Sequence, residues 1–152
     1  TKLEDLLDEI IISFKETSSK KFLLTFKDNK NDYSFQRSPE LIYGLRNFIG
    51  NAAKFSKSVV EIILISDNEN IQVKINDDGP GFPDDIKEII GEPYIKSKSM
   101  QVSSNSGTGL GTFLGKTLLE RQSASLIFTK DTKLGGASVV ISWNIDNLKS
   151  NV

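Results

Sequence analysis

Two apolar runs rich in β-branched residues lie at the centre of the chain, and they constrain its fold more than any other feature. Residues 59–66 and 71–76 are separated by the polar turn Asp67-Asn68-Glu69-Asn70. Runs of this length and composition on either side of turn residues are typical of β-strands. The sequence therefore predicts that both runs are central strands of a sheet.

Helices and further strands are predicted around this central pair. Apolar residues at helical spacing indicate a helix over residues 1–15. The start signal Ser38-Pro39-Glu40 begins a second helix, which continues to about Phe55. The remaining predicted elements are a helix over about 109–122 and strands at 20–27 (in a hairpin with 33–35), near 125–129 and near 137–143.

Two residue types are missing from the sequence, which removes several kinds of chemistry. The 152 residues include no cysteine and no histidine. Thiol catalysis, disulfide scaffolds, imidazole bases and His-ligated zinc are therefore excluded. The net charge of −1, with no dense basic block, argues against nucleic acid as a partner. No apolar run approaches the ~18–20 residues that cross a bilayer, so we expect no direct membrane contact from this segment. Because the chain begins with Thr1 rather than Met, we expect it to be a piece of a longer protein.

Three polar side chains share one face of the second predicted helix. Spacings of four and three residues place Asn47, Asn51 and Lys54 together, opposite the apolar stripe. A solvated helix face would account for them, since exposed faces are normally polar. Asparagine is a mediocre helix former, however, and two of them one turn apart favour a face that binds a ligand. In that interpretation an amide oxygen binds a hard cation such as Mg²⁺, and Lys54 neutralises phosphate charge.

A carboxylate and two glycines follow the second central strand. The segment Asp77-Asp78-Gly79-Pro80-Gly81 has favourable turn chemistry, and a plain turn would explain it. The functional interpretation is that Asp77 accepts a hydrogen bond from the exocyclic amine of adenine, where guanine has a carbonyl oxygen. Gly79 and Gly81 would then let the backbone lie flat against the base.

A glycine cluster begins the third predicted helix. The segment Ser106-Gly107-Thr108-Gly109-Leu110-Gly111 leaves backbone N–H groups free at a helix N-terminus, where the dipole favours an anion. It is not a Walker loop, because no Gly-Lys-Ser/Thr follows. A flexible hinge is the alternative. The long stretch from Asp78 to Gly107, rich in glycine, proline and serine, is typical of a functional lid or a disordered segment.

The order and spacing of these motifs resemble a known ATP-binding domain. An Asn-x-x-x-Asn-Ala helix, Asp-x-Gly-x-Gly at a strand end, a variable lid and Gly-x-Gly-x-Gly at a helix start are similar to the catalytic domain of two-component sensor histidine kinases. The wider superfamily includes type II topoisomerases, mismatch-repair ATPases and heat-shock chaperone ATPases. The resemblance covers residues 20–145, and segments 41–45 and 116–121 look most like the RegB/PrrB group of redox-responsive sensor kinases.

This resemblance implies a fold and the roles of individual residues. The implied fold is the Bergerat ATP-binding fold, an α+β two-layer sandwich with an ATP lid, in which a mixed, largely antiparallel sheet packs against about three helices. ATP and Mg²⁺ would bind, with Asn51 as the metal ligand and Asp77 reading adenine. Asn47, Asn51 and Lys54 would be catalytic. The further nucleotide-binding residues that the resemblance implies are Asn47, Lys54, Phe55, Gly79, Gly81, Tyr94, Lys96, Gly107, Thr108, Gly109, Leu110 and Gly111.

Domain organisation and partners follow from the same resemblance. It implies a helix and linker from an upstream dimerisation region over residues 1–19, an ATP-binding catalytic domain over 20–146 with a lid at about 82–106, and a tail over 147–152. The γ-phosphate would pass to a histidine on the dimerisation hairpin and then to a response regulator, in the cytoplasm. One departure is Ala137, where many relatives have a threonine that helps hold the base, and Ser138 is the candidate substitute.

Other functions on the same fold remain open at this point. A clamp-like ATP hydrolase needs a general base one turn before the metal-binding asparagine, and the amide of Asn47 at that position cannot accept a proton. A protein-serine kinase that inhibits sigma factors has the same fold, and a non-catalytic nucleotide-binding module is the last alternative. Phosphoryl transfer depends mainly on positioning and charge neutralisation, so the lack of an imidazole does not exclude it.

Overall fold

A mixed five-stranded sheet forms one layer of the molecule, as seen in a computed structural model that describes residues 2–27, 35–82, 108–130 and 133–145. For residues 108–110 it describes the backbone alone. The sheet has the order β1-β2-β3-β5-β4, in which β1 is parallel to β2 and every other neighbouring pair is antiparallel. The strands are β1 (Lys21–Lys27), β2 (Val59–Ser66), β3 (Asn70–Asp77), β4 (Ala124–Lys130) and β5 (Ala137–Asn144).

Three helices in the described part of the chain form the second layer. They are α1 (Leu3–Lys15), α2 (Pro39–Phe55) and α3 (Thr108–Glu120). Their apolar residues and those of one sheet face make a single hydrophobic cluster that includes the fully buried Trp143. The two-layer α+β arrangement with a mixed, largely antiparallel sheet confirms the fold class predicted from the sequence.

Helix α2 begins where its start signal predicts. The Ser38 hydroxyl accepts a hydrogen bond from the Leu41 N–H at 3.1 Å, and Pro39 lies in the first turn, where its missing N–H is not needed. The predicted apolar stripe is buried against the sheet, and it consists of Leu41, Leu45, Phe48, Ile49 and Ala52. Burying this stripe fixes the rotation of the helix, so its asparagines lie on a flank beside α3.

The pairing of β1 differs from the sequence prediction. A hairpin with residues 33–35 was expected, but β1 pairs in parallel with β2, from Lys21 opposite Val59 to Lys27 opposite Ile65. Phe35 lies outside any strand, and its ring packs edge-on against Trp143 at 5.2 Å between centroids. Tyr33 and Ser34 lie outside the described residues. The prediction was wrong for Phe35 because the chain crosses over through α2, and such a connection joins parallel strands.

Helix α1 packs on the same core as the sheet. Its buried residues Leu3, Leu6, Leu7, Ile10 and Ile11 belong to the common hydrophobic cluster. Burying one side chain of this kind contributes about 1.5–3 kcal/mol. Helix α1 is therefore part of this packing unit, and its origin in an upstream dimerisation region stays a prediction. Among the described residues, no helix has both the length and the apolar character that crossing a bilayer requires.

Candidate functional site

A cleft opens between α2, the end of β3, the start of α3 and the beginning of β5. Its walls are mostly apolar and include Phe48, Phe55, Ile75 and Val139. Three polar side chains also line it, namely Asn51, Asp77 and Thr112. An apolar cleft with a few convergent polar groups is the usual form of a small-molecule site. The structure thus brings together the predicted residues Asn51, Phe55 and Asp77.

Asp77 is buried at the end of β3, with 4% of its surface exposed. Its Oδ1 atom accepts hydrogen bonds from the backbone N–H groups of Gly79 at 2.8 Å and Ala137 at 3.2 Å. Two donors on one oxygen fix the plane of the carboxylate, and hydrogen bonds to an ionised acceptor are among the stronger ones in proteins. The carboxylate is therefore held in a defined orientation at the wall of the cleft.

Two glycines allow the backbone to approach Asp77 closely. A Cβ atom on Gly136 would lie 2.3 Å from the Asp77 carbonyl oxygen and 2.4 Å from its Oδ1. A Cβ on Gly79 would lie 2.3 Å from the Phe55 carbonyl oxygen. Real carbon atoms do not approach backbone oxygen so closely, so both positions require glycine. The sequence identified Gly79 for a different reason, a backbone that lies flat against the base, and it did not identify Gly136 as part of the site.

The neighbouring Asp78 has a different role, because its side chain contacts the connection between α2 and β2 rather than the cleft. Its carboxylate accepts hydrogen bonds from the backbone N–H groups of Lys57, Ser58 and Val59 and from the Ser58 hydroxyl, at 2.8–3.2 Å. Desolvation by burial raises the pKa of Asp78, but these hydrogen bonds outweigh it and hold the pKa well below its usual range. Asp78 thereby ties the end of α2 and the start of β2 to the end of β3.

This network predicts a stability change with pH. The Asp78 pKa is lower in the folded state than in the unfolded chain, so the carboxylate favours folding above the unfolded value of ~3.9. That contribution is lost as the pH falls below about 4 towards the folded-state pKa. Asp78→Asn should cost about 1.5–3 kcal/mol at pH 7, and the difference from the parent should shrink between about pH 4 and pH 2.

Urea unfolding at pH 7, 4, 3 and 2 would measure this difference. The matched control is Asp8→Asn, an exposed carboxylate in the middle of α1, which should leave the unfolding free energy nearly unchanged at every pH. A gap between Asp78→Asn and the parent that stayed constant down to pH 2 would contradict the assigned pKa shift.

The two asparagines of α2 lie half-buried against α3. Asn51 Nδ2 donates to Asn47 Oδ1 at 3.3 Å and to Thr112 Oγ1 at 3.2 Å. Asn47 itself rests on the glycine surface of α3, because Cβ atoms on Gly111 and Gly115 would lie 3.2 and 3.1 Å from its side chain. Asn47 therefore fills the helix–helix interface and supports the Asn51 carboxamide.

Lys54 and Phe55 lie at the rim of the cleft. The Lys54 ammonium is 5.3 Å from the centroid of the Phe55 ring, and the Lys54 side chain is exposed. Phe55 is 36% exposed and lines the cleft with part of its ring. On the other rim Gly81 has a φ of +87°, and Phe82 packs edge-on against Phe128 at 5.7 Å.

The candidate substitute Ser138 does not face the cleft. Its hydroxyl donates to Asn76 Oδ1 at 2.6 Å, on the opposite side of the sheet from Asp77. Successive residues of a strand point to opposite faces, so Ser138 and Ala137 cannot share a role. Ala137 contributes its backbone N–H to Asp77 and its methyl group to the cleft wall.

Several predicted residues could not be placed in the site. Tyr94, Lys96, Gly107, nearly all of the predicted lid and the tail lie outside the described residues. Thr108, Gly109 and Leu110 form the first turn of α3, as predicted, and Gly111 follows beside Asn47. The sequence reasoning missed Thr112, whose hydroxyl is buried in the cleft with 1% of the residue exposed. A polar residue one position after the glycine cluster was the available signal.

Comparison with known proteins agrees with this fold and cleft. The family of histidine kinase-, DNA gyrase B- and HSP90-like ATPases matches residues 36–147 of the chain. The chain therefore belongs to this ATPase family. Among curated proteins, it is 37% identical over 127 residues to the sensor histidine kinase RegB of Cereibacter sphaeroides, which confirms the resemblance to the RegB group. It is 28% identical over 116 residues to the sensor histidine kinase CpxA of Escherichia coli strain K12.

These alignments cover most of this chain but only part of each relative. They include 74% of the chain and 28% of RegB, and 71% of the chain and 25% of CpxA. The mycobacterial sensor histidine kinase MprB shares the fold with a TM-score of 0.72 at 20% identity, covering 95% of both chains. The catalytic domain of histidine kinase ThkA also gives a TM-score of 0.72, at 16% identity, covering 95% of this chain and 94% of that one. The fold is thus that of histidine kinase catalytic domains.

Proposed function

We propose that this domain binds Mg-ATP in the cleft and donates the γ-phosphate to a histidine on a separate dimerisation hairpin, as part of a two-component sensor kinase. The observation that carries the proposal is the buried Asp77 carboxylate, fixed by two backbone N–H groups at the wall of an apolar cleft. The family membership and the similarity to RegB support the same conclusion.

Asp77 accounts for the choice of base. A carboxylate accepts a hydrogen bond from the exocyclic amine of adenine, and it repels the carbonyl oxygen that guanine carries at the same position. The flanking apolar side chains Ile75 and Val139 offer surface to the faces and edges of a purine ring. One similar structure, that of full-length ShkA, holds AMPPNP, an adenine nucleotide analogue, and this is consistent with an adenine site on the shared fold.

Asn51 fits the chemistry that Mg²⁺ requires. Mg²⁺ prefers oxygen ligands and keeps several waters and substrate phosphates, so it needs only one or two protein oxygens. Both N–H groups of the Asn51 carboxamide have acceptors on α2 and α3, which leaves the oxygen on the other edge as the ligand atom. When bound there with ATP, Mg²⁺ would neutralise phosphate charge. The exposed Lys54 at the rim would add a positive charge near the phosphates.

The environment of Asn47 favours transfer over hydrolysis. A hydrolase activates water with a general base near the metal, and an amide cannot serve as one at neutral pH. Asn47 also has its oxygen engaged by Asn51 and its side chain packed on α3. The acceptor must come from elsewhere, because the chain contains no histidine. The proposal therefore includes an acceptor histidine and a response regulator on other parts of the system, and a location in the cytoplasm. The chain spans about a quarter of the length of its relatives RegB and CpxA.

A reconstituted phosphotransfer assay tests the proposal. The domain incubated with labelled Mg-ATP should bind nucleotide, hydrolyse it slowly and acquire no acid-labile phosphate. Adding a hairpin that carries the acceptor histidine should produce acid-labile label on the hairpin, because positioning supplies what the domain lacks. Asn51→Ala should reduce this labelling at least about tenfold, consistent with the loss of one metal ligand.

The matched control for this assay is Asn144→Ala, an exposed amide at the end of the sheet remote from Asp77. It should label the hairpin as the parent does. Acid-resistant phosphate on a serine of an added protein would instead indicate a serine kinase. Rapid hydrolysis by the domain alone would indicate a clamp ATPase and contradict the role of Asn47.

A further inference from the structure

The Thr112 hydroxyl is buried at a position where packing alone does not explain it. The residue is 1% exposed, lies in the second turn of α3 and lines the cleft. A valine would fill the same volume without burying a hydroxyl, which costs free energy unless the group is hydrogen-bonded. The hydroxyl oxygen accepts the Nδ2–H of Asn51 at 3.2 Å, across the interface between α3 and α2.

The orientation of the Asn51 carboxamide depends on two acceptors. Its Nδ2 group carries two hydrogens, and these are directed at Asn47 Oδ1 and Thr112 Oγ1. A carboxamide turned by 180° would place its oxygen against the Asn47 oxygen, where two acceptors repel. The Thr112 hydroxyl can accept from the NH₂ group or donate to the oxygen, so Asn47 sets the orientation and Thr112 adds a second point of attachment. Only the observed orientation leaves Oδ1 on the edge away from both partners.

We infer that Thr112 is a positioning residue for metal binding: Asn47 sets the orientation of the Asn51 carboxamide, and the Thr112 hydroxyl anchors it, so that the oxygen, and not the NH₂ group, is presented to Mg²⁺. This inference rests on the proposed function and deepens it. Mg²⁺ binds oxygen and has no affinity for an amide nitrogen, so any population of the turned carboxamide lowers the metal affinity. Gly111 and Gly115 of α3 hold the Asn47 side chain in place. Thr112, the residue after Gly111, provides the second hydrogen-bond partner of Asn51.

Thr112→Val tests the inference because it keeps the volume and removes the hydroxyl. Mg²⁺ is titrated into the domain loaded with a non-hydrolysable ATP analogue, and the same analogue is titrated in EDTA. The variant should need about three- to tenfold more Mg²⁺ for half-saturation, the range that one net hydrogen bond supports. Its affinity in EDTA should stay within about twofold of the parent, and Thr112→Ser should restore the metal affinity.

Two further variants make the comparison specific. Thr117→Val makes the same change on the same helix, at a half-buried position outside the cleft, and should leave the Mg²⁺ requirement unchanged. In an Asn51→Ala background, Thr112→Val should have no additional effect on the metal dependence, because the group that it orients is gone. An additional loss of the same size in that background would overturn the inference.

Other results would also overturn it. An equal loss of affinity in EDTA would mean that Thr112 contacts the nucleotide itself. An unchanged Mg²⁺ requirement in Thr112→Val would mean that the hydroxyl orients nothing. If Thr112→Val fails to fold, Thr112→Ala removes the same hydroxyl and should give the same shift in the Mg²⁺ titration.

A measurement without nucleotide separates this inference from the proposed function. In the NMR spectrum of the free domain, Thr112→Val should shift one of the two Nδ2 proton resonances of Asn51 upfield, and Thr117→Val should shift neither. If the parent bound no nucleotide, the proposed function would fail, while this resonance would still report whether Thr112 orients the carboxamide. An Asn51 resonance unmoved by Thr112→Val would contradict the inference in either case.

Discussion

Asp77→Asn should lower the affinity of the domain for ATP by about 10- to 150-fold, the equivalent of ~1.5–3 kcal/mol for a lost charge-assisted hydrogen bond. The asparagine has nearly the same shape, and its oxygen can still accept from Gly79 and Ala137. Its NH₂ group, however, then replaces the second carboxylate oxygen and meets the exocyclic amine of adenine donor to donor. Isothermal titration with Mg-ATP and Mg-GTP would measure the change, and the preference for adenine should fall with the affinity.

The adjacent Asp78 provides the matched control for this experiment. Asp78→Asn makes the same chemical change one residue later. The oxygens of that carboxylate accept hydrogen bonds from the backbone N–H groups of Lys57, Ser58 and Val59 and do not face the cleft. It should lower stability and leave the ATP affinity of the folded domain within a few-fold of the parent. If Asp77→Asn bound ATP as tightly as the parent, Asp77 would not be the residue that reads the base.

Gly136→Ala should abolish nucleotide binding at concentrations that saturate the parent. The added Cβ would lie 2.3 Å from the Asp77 carbonyl oxygen and 2.6 Å from the Gly79 nitrogen, and both are backbone atoms that cannot move aside alone. Overpacking of this kind costs about 1–3 kcal/mol and displaces the chain. Here the displaced part is the carboxylate that faces the ligand, so binding should suffer more than stability. Thermal unfolding and ATP titration of the same samples would separate the two effects.

Gly135→Ala is the control, because it changes the other glycine of the same turn. Gly135 has a φ of +85°, and a Cβ there meets no atom within 4 Å. The variant should lose about 1–2 kcal/mol of stability from the left-handed backbone conformation and still bind ATP. If both variants bound ATP normally, the close approach at Gly136 would have no part in shaping the site.

Local patterns predicted most of the fold. The apolar runs of β2 and β3 and the Ser38 start of α2 each reflect interactions between residues close in sequence, and each lies where it was expected. The partner of β1 was not predictable in this way. Its parallel pairing with β2 spans the whole of α2, and nothing in residues 21–27 alone distinguishes that edge from a hairpin.

The residues of the candidate site also differ in whether the sequence could reveal them. Asn51 and Asp77 were recognised because each belongs to a short motif, and Phe55 because the family resemblance implied it. The structure places all three in one cleft. Gly136 and Thr112 were missed because their importance comes from residues about 60 positions away along the chain. The contact of Gly136 with Asp77 and the hydrogen bond of Thr112 with Asn51 exist only after the sheet and the two helices have packed.

The pair Asp77 and Asp78 makes strand length, and not only residue identity, a constraint on this chain. One carboxylate serves the cleft and its neighbour serves the α2–β2 junction. A one-residue deletion within β3 would therefore move Asp78 into the place of Asp77 and turn Asp77 to the opposite face of the sheet. The turn before β3 helps to fix the register of the strand, since Asp67 accepts hydrogen bonds from the N–H groups of Glu69 and Asn70 at 2.8 and 2.7 Å. Over evolutionary time, we expect this segment to accept substitutions on its outer face far more readily than insertions or deletions.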